Sequence, residues 1–356
     1  MALIYFVEVD SRRPMNRTIR SLFVLAQFVL AVAFAQSGYH QTKKIAIGGE
    51  GGWDYLIADG GRVYVSHTNE VDVVDPQKSE VVGKITGLKG VHGIALATEF
   101  GRGFISNGQG NSVTIFDLKK LEKIGDDVPA GMNPDAIIYD SGSKRVFAMN
   151  GRSGDLTAID AEKGTVAGTV PLEGKLEFAA ADGKGHVYVN GEDKNTVFDV
   201  DSKKLAVAHQ WALAPCESPS GMNIDRKSRR IFVGCHNNMM AVLNADNGAV
   251  VATPAICNGI DATWFDPGTG YVFNSCGDGT LTVIHEDSPD KYSLVENVMT
   301  KRGARTMAVD MKTHNVYLAV ADLEAPPAGQ APPEKGGRGP RPRIVPGTFQ
   351  LLEFAR

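Results

Sequence analysis

A motif returns seven times along this chain: a short apolar strand ending in Asp or its equivalent, a turn, then a strand of x-aromatic-apolar character. Its aromatic residues are Tyr64, Phe104, Phe147, Tyr188, Phe232, Phe273 and Tyr317, separated by steps of 40, 43, 41, 44, 41 and 44 residues. Strands this short, punctuated this regularly, leave no room for helices. A period in the low forties with several short strands per unit is that of a propeller blade. A β-sandwich also has short strands, but it has no reason to keep a fixed period seven times.

The third unit shows the pattern. Asp135–Tyr139 reads as a first strand, Arg145–Met149 as a second, Leu156–Ile159 as a third and Thr165–Val170 as a fourth. The Asn150-Gly151 connection between β-rich runs is a hairpin signal. First strands are rich in alanine (Ala95, Ala97, Ala179 to Ala181, Ala308), as expected where strands crowd an axis. The aromatics one strand further out are expected to fill the gaps between blades. The seventh unit supplies three strands, through Phe349–Phe354, and then the chain ends. Lys44 to Gly48 precedes the first unit and lacks a blade. Pairing the two closes the ring and hides two open edges. The expectation is therefore an all-β, seven-bladed propeller of four-stranded blades, closed by an N-terminal strand in the last blade and spanning residues 36–356.

Ahead of it, residues 15–35 read as a secretory signal within an N-terminal extension of residues 1–35. Arg17 and Arg20 form the basic start, Leu22 to Val32 the apolar stretch, and Ala33-Phe34-Ala35 the small-x-small cleavage pattern. Met15 is an alternative start, because residues 1–14 carry acids that a signal peptide usually lacks. The apolar stretch is short for a membrane span and contains Gln27, so no span is expected after cleavage. The expected location is periplasmic or secreted. A net charge of −4 and the lack of an aromatic-interleaved basic patch argue against nucleic acid as a partner.

The four cysteines are Cys216, Cys235, Cys257 and Cys276. Each pair is 19 residues apart and the pairs are offset by one blade. In each, one cysteine sits before a first strand and the other at the far end of the second, so the antiparallel strands bring both to one face. Of three connectivities, this favours Cys216–Cys235 and Cys257–Cys276. A metal site is the weaker reading without a Cys-x-x-Cys spacing. Without Cys-x-x-Cys-His there is no c-type haem attachment.

The stretch Val63-Tyr64-Val65-Ser66-His67-Thr68-Asn69, followed by Val71-Asp72-Val73-Val74-Asp75, resembles the YVTN repeat of exported YncE-like propellers. Ile115-Phe116-Asp117 and Ala158-Ile159-Asp160 repeat the Asp-ended strand. The resemblance covers residues 44–356. It implies a seven-bladed propeller in the bacterial periplasm or outside the cell. Because blades rather than a catalytic motif define the family, it implies no reaction. Related propellers include lactonase-like hydrolases and the cytochrome d1 domain, and no motif here aligns with their catalytic groups.

Propeller ligands bind where first strands enter the central channel. Counting five residues back from the end of each first strand gives one residue per blade: Asp54, His92, Asp135, Glu177, Ser220, Asp261 and Arg305. Four carboxylates around a narrow mouth focus negative potential and invite a cation, with Asp135, Glu177 and Asp261 as candidate metal ligands. Turn capping by Asp and Ser is the plainer explanation of each residue singly. On the same face, turns carry His67, Asn107, Asn150, His236 and Asp278. Residues 324–346 form a Pro/Gly-rich basic insertion in the last blade, read as a loop, a lid or a docking arm. The expected function is a monomeric, non-enzymatic propeller that binds a small molecule, an ion or a protein on its channel face. No cofactor is expected beyond a divalent cation. The alternative is a metal-dependent hydrolase of the lactonase-like type.

Overall fold

A computed structural model describes residues 38–324 and 343–356. The expected leader, residues 15–35, and the insertion between Glu324 and Arg343 lie outside the described residues. The described chain forms seven sheets of four antiparallel strands, with almost no helix. The inner strands of the first six blades are Trp53–Asp59, Val91–Ala97, Pro134–Asp140, Leu176–Ala181, Pro219–Asp225 and Ile260–Asp266, and Met307–Val309 serves the seventh. Each inner strand packs on the next, and the seventh packs on the first, which closes the ring.

The repeat aromatics explain why the blades stack. All seven are buried, and each falls in a different apolar cluster made with residues of the following blade. Phe104 meets Ile137 and Val146, Phe232 meets Phe265 and Val272, and Tyr317 meets Leu56 and Val63. One large side chain per gap is what a fixed period delivers. Removing such a ring typically costs about 3–5 kcal/mol.

The last blade is completed by the N-terminal strand His40–Ala46, which pairs antiparallel with Gln350–Ala355. Tyr39 reinforces the seam edge-to-face against Phe273 at 5.1 Å. Its backbone N–H donates to Glu296 Oε1 at 2.8 Å. Disulfides join Cys216 to Cys235 and Cys257 to Cys276, with Cα atoms 5.5 and 5.9 Å apart. Each closes a loop of 19 residues, worth about 3 kcal/mol by loop entropy.

The Asp residues that end third strands are turn caps. Asp75, Asp117, Asp160 and Asp201 each accept two backbone N–H groups from the residues that follow. The bond from Lys204, chiefly, draws Asp201 down to about 2. This repeated feature thus serves the backbone.

Candidate functional site at the channel mouth

Each of the first six inner strands breaks register with its neighbour near its start, and the break falls on the residue counted from the sequence. Such a bulge re-aims a side chain that regular pleating would send between blades. The bulges are held from the second strands. Ser66 Oγ accepts the Asp54 N–H at 2.9 Å, and Ser106 Oγ accepts the Gly93 N–H at 2.7 Å. Ser106 also donates to the Asp135 carbonyl of the next blade, and Ser275 does the same for Arg305. Ser220 differs from its ring companions. It is buried, and its hydroxyl donates to the Asp261 carbonyl at 3.2 Å, so it belongs to this framework rather than to the lining.

The other ring residues gather into ion-paired groups. His92 Nδ1 lies 2.7 Å from Asp54 Oδ2 and 3.7 Å from Asp135 Oδ1. Arg305 donates to Asp261 Oδ2 at 3.3 Å. Lys175, which the sequence count passed over, lies 2.6 Å from Glu177 and also pairs with Glu192. Glu177 and Asp261 are thus committed to cations of the chain itself. Among the ring residues, those offering metal-type ligand atoms at one spot are Asp54, His92 and Asp135, all within 4.8 Å of one another. The His92 ring needs Gly108 beneath it, since a Cβ there would lie 2.6 Å from Nε2.

Crowded charge in a recessed site shifts these groups. Burial, then the charge of Asp54, pushes Asp135 up to about 6. Burial likewise pushes Asp261 up to about 6 against the pull of Arg305. Burial, with a hydrogen bond to Glu192, holds Glu177 well above the usual carboxylate range. For His92, burial pulls downward, but the Asp54 hydrogen bond and the charge of Asp135 outweigh it and leave it raised.

Beside the charges, two aromatic rings meet across the ring of blades. Tyr55 of the first blade and Phe178 of the fourth stand with ring centroids 4.6 Å apart. Tyr55 packs on the core between the third and fourth blades, and Phe178 reaches the core between the sixth and seventh. The same position in the other inner strands holds Gly93, Ala136, Gly221, Ala262 and Thr306. That contrast was the available sequence signal: small residues on five blades make room for large ones on two. At Gly221 a Cβ would come within 2.3 Å of the Thr263 nitrogen, so neighbouring backbones already touch.

The second tier of candidates is placed differently. His67 is 3% exposed, bonded through Nδ1 to Asp72 at 2.9 Å and packed on Phe349 at 4.5 Å. Asn107 and Asn150 are buried and brace third strands, donating to Thr114 and Thr157 respectively at 2.9 Å. Asp278 accepts backbone N–H groups of Asn258 and Thr280 in an exposed turn. His236 is exposed in the turn after Cys235.

No family model matches the chain, and no curated protein sequence matches it. Among solved structures, Kuenenia stuttgartiensis hydrazine synthase is similar, with a TM-score of 0.66 at 14% identity. That likeness covers 80% of this chain and 96% of the other. At such identity it concerns the fold.

Proposed function

We propose that this chain is an exported propeller of the YVTN type that binds a small ligand or cation at its channel mouth without catalysing a reaction. The mouth carries the reading: acids that resist joint ionisation are held on bulges beside the Tyr55–Phe178 ring pair. Two disulfides fit an oxidising compartment outside the cytoplasm, and no described helix is long and apolar enough to cross a membrane. The proposal includes a monomeric protein that makes no nucleic-acid contact. Replacing Asp135, Glu177 and Asp261 together by alanine should abolish ligand-induced thermal shifts while circular dichroism stays that of the fold. Unchanged shifts in that variant would sink the reading.

The Asp54, His92 and Asp135 cluster favours a second reading, a metal-dependent hydrolase. A divalent ion held there would polarise a carbonyl or activate water. Elemental analysis of purified protein separates the two. Metal-free protein that stays inert towards lactones with added Ca²⁺, Mn²⁺ or Zn²⁺ excludes the hydrolase.

A further inference from the structure

We infer that Cys257–Cys276 is a site of thiol–disulfide exchange, open at the Cys257 sulfur to small neutral or cationic thiols, while Cys216–Cys235 is closed to them. The two bridges have the same spacing and different surroundings. Cys216 and Cys235 are buried in the core between the fourth and fifth blades, among Tyr188, Leu213 and Val233. Cys276 is buried as well, but Cys257 is only half-buried. It lines a cavity of about 330 Å³ together with Ile256, Asp278, Thr280, Leu294 and Met299. Leu294 and Met299 are exposed, so the cavity opens to solvent. It lies where a short edge meets a long one. The outermost strand of the fifth blade, Val250–Ala252, has three residues, and that of the sixth, Lys291–Met299, has nine.

Exchange begins when a thiolate enters the cavity and attacks Cys257 Sγ. A new S–S bond joins it to Cys257, the old bond breaks, and Cys276 leaves as a thiolate that takes a proton from water. A second molecule of thiol then attacks the first one's sulfur in the mixed disulfide and releases Cys257. Two small thiols are thereby oxidised to one small disulfide, and one protein disulfide is reduced. The released Cys257 thiol has acceptors waiting, since its Sγ lies 3.4 Å from the Asn274 carbonyl oxygen and 3.5 Å from that of Thr280.

Asp278 sets the charge preference. A carboxylate oxygen of Asp278 lies within 4.8 Å of both sulfurs. Backbone N–H groups of Asn258 and Thr280 hold it there. It repels an anionic thiol and attracts a cationic one.

The test exposes the folded full chain to cysteamine, which carries an ammonium, and separately to 2-mercaptoethanesulfonate, which carries a sulfonate. Free thiols are blocked at intervals and the products located by peptide mass mapping. With cysteamine, Cys257–Cys276 should open about tenfold faster than Cys216–Cys235 or more, with the first adduct on Cys257. Asp278→Asn keeps an oxygen to cap the turn and removes the charge. It should speed the sulfonate thiol about fourfold, the effect of one unit charge about 5 Å away in water, and slow cysteamine by a similar factor. Equal opening of the two bridges overturns the inference, because it marks exchange through a common unfolded state. A first adduct on Cys276 overturns it too, as does a Cys257–Cys276 bridge that resists cysteamine until denaturant is added. An Asp278→Asn change that moves both thiols in the same direction removes the stated preference and overturns it as well.

Discussion

At the scale of single residues, the mouth trades stability for charge. Asp135 has a folded-state pKa of about 6 against an ordinary 3.8. A raised pKa means that the protonated form is favoured on folding. Its stabilising contribution is complete below about pH 3.8 and is lost as pH rises through about 6. Asp135→Asn removes that loss. With no ligand present, the variant should melt a few degrees above wild type at pH 7.5, reflecting about 1–3 kcal/mol, and equal it at pH 4. Thermal melts across this range check the sign. A variant less stable at pH 7.5 would mean that the His92 contact outweighs the cost of burial. Asp201 is the opposite case: a half-buried turn cap with a lowered pKa, whose contribution holds at neutral pH and fades only in strong acid.

At the scale of elements, the insertion in the last blade is bounded by a paired base. Leu323 bridges Ile344, the Glu324 N–H donates to the Arg343 carbonyl at 2.8 Å, and the Val345 N–H donates to the Asp322 carbonyl at 2.8 Å. The flanking strands Val316–Val320 and Gln350–Ala355 pair antiparallel with each other along their length. The prolines and charges of residues 325–342 give that stretch little apolar area to bury. Replacing it with a short Gly-containing turn should move the melting temperature by no more than a few degrees, since shortening a surface loop costs on the order of 1 kcal/mol or less. A large drop on calorimetry would show that the segment packs on the blades.

At the scale of the molecule, closure depends on one strand. His40–Ala46 covers the edge of Gln350–Ala355 and buries Ile45 within the core between the seventh and first blades. Deleting residues 1–47 leaves a long unpaired edge, which invites pairing with another copy. The truncated protein should lose several degrees of melting temperature and elute from gel filtration as soluble aggregate. A monomer with an unchanged melt would show that the ring holds without this strand.

The architecture was legible because a blade is a local object. Each hairpin, each Asp cap and each aromatic is specified within about forty residues, and stacking needs only the neighbouring blade. The positions of the six bulges were legible for the same reason, since a fixed period turns counting into geometry. Partner choice was not. Whether Glu177 meets a metal or Lys175, and whether Ser220 faces the channel or bonds to the Asp261 carbonyl, depends on how adjacent bulges are aimed. The Tyr55–Phe178 pair was furthest from reach. It joins blades that are neighbours neither in sequence nor around the ring, and only closing the circle brings their side chains together. The sequence by itself determined the number of blades and where each of the first six inner strands breaks register. The tertiary structure decided which charges neutralise one another and that Tyr55 meets Phe178, because both depend on distances across the ring that no local pattern encodes.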